Sequence, residues 1–161
     1  MRKMKITFAA MVTAILFANT ICACTMQNTM STGASSSVQS KGEINMKLLI
    51  DNVEVSVDWE DNESVRQILG IASCSDIMVS ASRYGGFEQV GDLGHNITSN
   101  NVQMTTEPGD IVLYSGNNLV VFFGNNSWSY TKLGKIKDKS ITELKALLDK
   151  NNVMMTLSAK K

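Results

Sequence analysis

The stretch EPGDIVLYSGNNLVVFFG, residues 107–124, carries the clearest fold signal in this 161-residue chain. It opens with a Pro-Gly turn, in which proline presets one backbone dihedral and glycine accepts the next. Residues 111–114 then form one apolar segment and residues 119–123 a second, separated by Gly116-Asn117-Asn118. The β-branched and aromatic content of the second segment is typical of a strand buried on both faces. We therefore predict two short strands here, with both phenylalanines of the second in the core.

Alternation of apolar and polar residues extends outward from this stretch in both directions. Five further strands are predicted from it, at residues 46–50, 53–57, 77–81, 102–106 and 153–157. The first two flank the turn Asp51-Asn52, so we expect them to form a hairpin with one buried face. Gly85-Gly86 is expected to end the strand that begins at Ile77.

Two short helices are predicted between these strands. Asp61 or Asn62 caps the first helix, and Gly70 ends it. The second helix opens with the capping box Ser140-Ile141-Thr142-Glu143. Each helix has one apolar stripe, formed by Val65, Ile68 and Leu69 in the first and by Ile141, Leu144 and Leu148 in the second. Many short strands, Gly/Asn turns and two helices indicate a mainly β, β-rich α+β fold, most simply a β-barrel.

The N-terminal segment has the pattern of an export signal. Arg2, Lys3 and Lys5 precede the uncharged residues 6–18, and this apolar run is shorter than the ~20 residues of a membrane-spanning helix. Residues 1–23 are therefore predicted to be a signal peptide. Its end, Ile21-Cys22-Ala23-Cys24, resembles the lipobox of bacterial lipoproteins, which implies lipidation of Cys24. Cleavage without lipid and an uncleaved membrane anchor remain alternatives.

The rest of the chain divides by composition. Residues 24–42 are rich in Ser, Thr, Gln and Asn, and we expect a disordered tether there because such a segment has little apolar surface to bury. Residues 43–157 are long enough for one folded domain. We therefore expect a protein of the bacterial cell envelope, held at a membrane through Cys24, or secreted if the lipobox is not used.

Charge and composition exclude several classes of function. The chain has 15 basic and 15 acidic side chains, so loss of the three basic residues of the signal peptide leaves 12 against 15. A mildly acidic domain without a basic patch is not expected to bind nucleic acid. With one histidine and no cluster of ligating residues, we expect no metal and no cofactor. Cys74 is expected to be a lone, buried cysteine.

Several stretches, in this order, resemble the bacterial cyclophilin-like fold proteins. They are SRYGGFE at 82–88, GDL at 91–93, EPGDIVLY at 107–114, LVVFFG at 119–124 and LGKI at 133–136. Members of this family share a compact β-barrel related to cyclophilin but lack its isomerase signature. The resemblance implies a cyclophilin-like closed β-barrel, to which the patterns above add two short helices.

Residues 83–92 are expected to form a loop, and this loop and the barrel wall beside it form the candidate binding site. Its paired glycines allow the backbone to approach a ligand closely, and it combines aromatic surface with polar groups, as small-molecule and peptide sites do. The expected ligand-binding residues are Arg83, Tyr84, Phe87, Glu88, Tyr114 and Trp128. Trp128 and Tyr130 are expected in a polar loop, where exposed aromatic rings suit stacking on a ligand. The partner would be an unidentified peptide or small molecule.

Two alternatives stay open for this segment. The first is a structural role, with Gly85-Gly86 as a bulge and Arg83 paired with Glu88 or Asp92. The second is peptidyl-prolyl isomerisation of exported proteins, in which Arg83 would supply the donor to the prolyl amide that the arginine supplies in true cyclophilins. The Phe-Met-x-Gln-Gly-Gly run of those enzymes is absent, so no residue is assigned a catalytic role.

Overall fold

The computed structural model describes residues 44–159, which form ten strands and two helices. In chain order these elements are β1 (Lys47–Ile50), β2 (Val53–Val55), β3 (Val57–Trp59), α1 (Glu63–Cys74), β4 (Ile77–Tyr84), β5 (Glu88–Asp92), β6 (Val102–Thr106), β7 (Asp110–Tyr114), β8 (Asn118–Phe122), β9 (Asn126–Ile136), α2 (Ile141–Leu148) and β10 (Asn152–Ser158). The predicted signal peptide, the predicted tether and Cys24 lie outside the described residues.

Nine of these strands form one antiparallel sheet that curls into a nearly closed barrel. Their order is β2-β1-β10-β4-β5-β8-β7-β9-β3, and β6 pairs with β9 beside this path. The two edge strands are consecutive in the chain, because β2 ends at Val55 and β3 begins at Val57. Ser56 joins them, and its carbonyl oxygen accepts a hydrogen bond from Lys137 N at 2.8 Å. The mainly β barrel with two short helices is thereby confirmed.

The stretch 107–124 forms the centre of the barrel wall. Asp110 N donates to Glu107 O at 3.0 Å, and Gly109 has a φ of 90°, so this is the tight turn that the sequence predicts. β7 and β8 follow and pair with each other. Residues 119–123 are all buried, as predicted for a strand covered on both faces.

Alternate residues of this wall enter two different hydrophobic clusters. The inward side chains, Ile111, Leu113, Leu119, Val121 and Phe123, join the main core. Helix α1 contributes Val65 and Ile68 to this core, and α2 contributes Leu144 and Leu148. The outward side chains form a smaller cluster of Val112, Val120, Phe122 and Tyr130, against which Phe87, Val90 and Met104 pack. The outer face of the wall is therefore apolar as well, and the ribbon of β6 and β9 lies beside it.

Helix α1 runs further than predicted. Asn62 is its cap, accepting a hydrogen bond from Val65 N at 3.0 Å, but the helix passes through Gly70 and ends at Cys74. A glycine inside a helix costs only about 1 kcal/mol, and continuing the helix buries Ala72 completely. Cys74 is exposed, so the prediction that it is buried is wrong.

Helix α2 begins with the predicted capping box. The side chain of Ser140 accepts from Glu143 N, and the Glu143 carboxylate accepts from Ser140 N at 2.7 Å. Leu144 and Leu148 are buried, whereas Ile141 at the start of the helix is exposed. The predicted apolar stripe is correct over its last two positions only.

Three predictions about strands need correction. The hairpin of β1 and β2 forms around Asp51-Asn52, and both residues have the positive φ that a type I′ turn requires. Val53 is exposed, however. The predicted strand 53–57 is also interrupted at Ser56, before which the chain pairs with β1 and after which it pairs with β9. The segments expected as loops around Glu88 and Trp128 are the strands β5 and β9. Their polar composition gave no strand signal in the sequence, because β5 carries buried polar side chains and one face of the β6–β9 ribbon is open to solvent.

Within residues 44–159, no helix is long and apolar enough to cross a membrane.

Candidate functional site

A cavity of about 330 Å³ opens on the outer face of the barrel wall. This volume lies at the lower end of the range of roughly 300–1,000 Å³ for small-molecule sites. The cavity is lined by Tyr84, Glu88, Val90, Tyr114, Val120, Asn126, Trp128 and Tyr130. Val90 and Val120 face each other in the β5–β8 register, so the cavity lies directly over the centre of the wall.

A tight turn between β4 and β5 positions two of the lining side chains. Gly85 and Gly86 both have positive φ, 58° and 74°, which side-chain-bearing residues rarely adopt. A Cβ on Gly85 would also lie only 2.3 Å from the Phe87 ring. The turn pairs Tyr84 with Glu88 across the two strands, so their side chains emerge on the same face of the sheet.

Aromatic rings form the walls of the cavity. The ring centroids of Tyr114 and Tyr130 are 5.9 Å apart in an edge-to-face arrangement, and Tyr130 contacts Phe122 in the same way at 5.6 Å. Tyr84 is 67% exposed, Trp128 57% and Tyr114 39%. Three large rings thus remain open to solvent around one cavity, whereas Tyr130 is buried beneath them.

Glu88 is the unusual polar group of this site. Its side chain is only 5% exposed, and its Oε2 atom has no hydrogen-bond partner. Burial raises the pKa of Glu88 to about 7. At neutral pH the carboxyl group therefore exchanges readily between its protonated and ionised forms.

Glu88, Tyr130 and Asn126 together form the polar floor of the cavity. Asn126 Nδ2 donates a hydrogen bond to the Tyr130 hydroxyl at 2.8 Å, and Asn126 Oδ1 accepts one from Ser127 N at 2.9 Å. Burial, and secondarily the charge of Glu88, raise the pKa of Tyr130 above its ordinary value. The amide of Asn126 is committed to partners within the protein, so Glu88 is the floor group with an unused oxygen.

Arg83 and Phe87 do not line the cavity. The guanidinium of Arg83 donates to Asp149 Oδ1 at 2.8 Å, and both partners are about half exposed. Arg83 is thus ion-paired, but with Asp149 rather than with Glu88 or Asp92. Phe87 stacks on Phe122 with ring centroids 6.5 Å apart and supports the wall from its edge.

The structure brings four of the six expected binding residues together in the cavity. They are Tyr84, Glu88, Tyr114 and Trp128. Sequence reasoning missed Val90, Val120 and Asn126, and it expected Tyr130 in an exposed loop. A period of two was visible from Asn126 through Trp128 to Tyr130, and it would have placed these side chains on one face of a strand. Within the described part of the chain, no group of three or more His, Cys, Asp or Glu side chains is arranged to hold a metal ion.

Comparison with known proteins is consistent with the fold and the sequence resemblance. A protein-family model described as the cyclophilin-like family matches residues 48–158, which covers more than half of the chain and every strand of the barrel except the first residue of β1. No curated protein matches the chain. The match confirms the resemblance drawn from the five stretches between residues 82 and 136, and this chain belongs to the cyclophilin-like family.

Proposed function

We propose that this chain is a binding module of the bacterial cell envelope, and that its outer-face cavity binds a small molecule or a peptide side chain. The proposal rests on the cavity between β4, β5, β7, β8 and β9. It is open, its walls are aromatic, and it has a buried carboxyl group on its floor. Such a mixture of apolar surface and a few converging polar groups is typical of ligand sites.

The single observation that carries the proposal is the buried carboxyl group of Glu88, which lines the cavity and has an oxygen without a hydrogen-bond partner. A buried acceptor without a hydrogen bond costs about 1–3 kcal/mol, and more if it is charged. A core position with such a cost is normally apolar. A ligand that donates a hydrogen bond to this carboxyl group recovers the cost, which explains why an acid at the floor of the cavity is tolerated.

Isomerase activity, the alternative function, has less support. It needs a donor that reaches a prolyl amide held in a groove, and Arg83 is the residue to which the resemblance would give that role. Its guanidinium is engaged by Asp149 and lies outside the cavity. A protease-coupled proline-isomerisation assay tests this directly. We expect no acceleration by the pure protein, and acceleration that disappears in Arg83→Ala would support the isomerase instead.

A thermal-shift screen against peptide and metabolite sets tests the binding function. A true ligand at 100 times its Kd is expected to add about 2.7 kcal/mol to the stability of the folded protein. The shift should disappear in Trp128→Ala and Tyr84→Ala, which remove exposed walls of the cavity. Ile141→Ala is the matched control, because Ile141 is equally exposed but lies on α2. A shift retained in both wall variants would place the ligand elsewhere and contradict the proposal.

The proposed location rests on the basic and apolar N-terminal segment and on Cys24. In a bacterial host, we expect the protein to be recovered in the membrane fraction and to incorporate labelled fatty acid. Cys24→Ser should abolish the labelling and release the protein from the membrane. Labelling that persists in this variant would contradict lipidation at Cys24.

A further inference from the structure

The charge balance of the cavity restricts the chemistry of its ligand. Glu88 is the one lining residue with a carboxyl group, and no Lys or Arg side chain lines the cavity. The nearest arginine along the chain, Arg83, is ion-paired with Asp149. Glu88 takes part in none of the ion pairs found among the described residues. Its negative charge therefore has no counter-charge from this part of the protein.

The aromatic walls of the cavity, like the negative charge of Glu88, favour a positively charged ligand. The faces of aromatic rings carry partial negative charge and attract cations, most strongly in tryptophan and tyrosine. Trp128, Tyr84 and Tyr114 present such rings to solvent, and Tyr130 lies beneath them. An apolar ligand would contact these rings but leave the Glu88 carboxyl group without a partner, and an anion would be repelled by the carboxylate.

We propose that the cavity binds an organic cation, an ammonium or guanidinium group whose charge pairs with Glu88 while its alkyl groups contact the rings of Tyr84, Tyr114 and Trp128. This inference rests on the proposed binding function and names the class of ligand. The same chemistry is available from the side chain of a peptide lysine or arginine and from a small free amine. The two sources are separated by the experiment below.

A coupling between binding and protonation follows from this geometry. The titratable groups that face Glu88 are tyrosine hydroxyls, Tyr84 from β4, Tyr114 from β7 and Tyr130 from β9, while β8 presents Val120 and Phe122. Burial raises the pKa of Glu88 to about 7, and a bound cation favours its ionised form and lowers that pKa. Binding near neutral pH should release a proton, and affinity should rise between pH 5 and pH 8.

Titration calorimetry with charge-matched pairs of probes tests the inference. The first pair is 3,3-dimethylbutylamine, an ammonium ion at neutral pH, and its neutral analogue 3,3-dimethyl-1-butanol. The second pair is the peptide acetyl-Ala-Ala-Lys-Ala-Ala-amide and the same peptide with Nε-acetylated lysine. We expect the cation of at least one pair to bind at least tenfold more tightly than its neutral partner, and the pair that shows this identifies the source.

The variant Glu88→Gln makes the assignment specific to the cavity. It keeps the size of the side chain and removes its charge, so it should weaken cation binding roughly tenfold, leave the neutral probes unchanged and abolish the rise in affinity between pH 5 and pH 8. Equal affinity for charged and neutral probes, no binding of either cation, or cation binding unaffected by Glu88→Gln would each overturn the inference. A neutral ligand from the thermal-shift screen that is lost in Tyr84→Ala would leave the binding function standing and remove only the cationic class.

Discussion

The side chains on the two faces of the barrel wall differ in burial and in role. The inner face of β7 and β8 is sealed by both helices and by the strands across the barrel, and Leu113 and Phe123 are fully buried there. The outer face of the same strands holds a small cluster around Phe122, and beside it three large rings remain open to solvent. Burial on the inner face stabilises the fold, whereas exposure on the outer face leaves apolar surface for a ligand.

Neighbouring residues of β5 show this difference most clearly. Glu88 and Gln89 are both buried but point to opposite faces. Gln89 Nε2 donates to the carbonyl oxygens of Leu148 and Lys150, both at 2.7 Å, and so satisfies carbonyl groups at the C-terminal end of α2, although its Oε1 has no partner. Glu88 has no such bond. An inward polar side chain here holds a helix in place, and the outward one is available for binding.

The largest expected effect comes from a large-to-small change on the inner face. Phe123→Ala should lower the free energy of unfolding by about 3–5 kcal/mol, because it leaves a cavity in a closed core. Trp128→Ala is the matched change on the outer face and should cost no more than about 0.5 kcal/mol. Urea unfolding measures both. Similar losses in the two variants would mean that the outer rings are part of the core.

Gln89→Glu should have the next largest effect. It replaces the amide donor with a carboxyl group facing two carbonyl oxygens, which at pH 8 should cost roughly 3 kcal/mol. The docking of α2 is the contact at risk, so amide hydrogen exchange should accelerate first in residues 141–148. An unchanged exchange rate there, in a protein of wild-type stability, would contradict the role given to Gln89.

Glu88→Gln should stabilise the protein relative to the wild type above about pH 4.5, and increasingly so up to about pH 7. The unfolded carboxyl group ionises near 4.5, whereas the folded one stays protonated until about pH 7. Protonation of Glu88 therefore favours the folded state below pH 4.5, and this contribution is lost as the pH rises through 7, by about 2–3 kcal/mol in total. Urea unfolding at pH 4, 6 and 8 measures this, and the free energy of unfolding of the variant should increase relative to that of the wild type from each pH to the next.

The difference in the free energy of unfolding between the wild type and Glu88→Gln reports on Glu88 alone and not on the other carboxyl groups. Asp51, Glu107 and Glu143 have lowered pKa values because hydrogen bonds favour their ionised forms, and they act in the same way in both proteins. A difference that does not change with pH would show that Glu88 ionises normally in the folded state.

Arg83→Ala should have the smallest effect. The Arg83–Asp149 pair is half exposed, and such surface ion pairs contribute about 0–1 kcal/mol. Stability should fall by no more than this, and binding of any ligand found in the thermal-shift screen should be unchanged. A loss of binding in Arg83→Ala, with Asp149→Ala as the control, would bring Arg83 into the site after all.

The sequence predicts the barrel where side-chain pattern and local structure agree. The apolar strand β8, the Asp51-Asn52 turn and the capping box at Ser140 follow directly from residue types and spacing. The strands β5 and β9 do not, because Glu88, Gln89 and Asn126 look like loop residues until their partners are known. The junction at Ser56 has no local signal, since the change of partner is decided by strands that lie far along the chain.

The candidate site was predictable where one turn creates it and at two aromatic residues outside that turn, Tyr114 and Trp128. Gly85-Gly86 brings Tyr84 opposite Glu88, so these two residues could be recognised together. Asn126 and Tyr130 join them from β9, across strands that are separated in sequence, and no local pattern links them to the turn. Arg83 lies next to Tyr84 on β4, but its guanidinium pairs with Asp149 at the end of α2, and Arg83 does not line the cavity.

The pairing of the first strand with the last has a consequence for how the protein folds. Lys47 of β1 lies opposite Ser158 of β10, so nearly the whole domain must be synthesised before this seam can form. Contacts between distant parts of a chain slow folding, because the entropy of closing the loop is lost before the contact is gained. A nascent chain that still lacks β10 has β1 and β4 without the strand that lies between them, so this part of the sheet forms only after β10 has been synthesised.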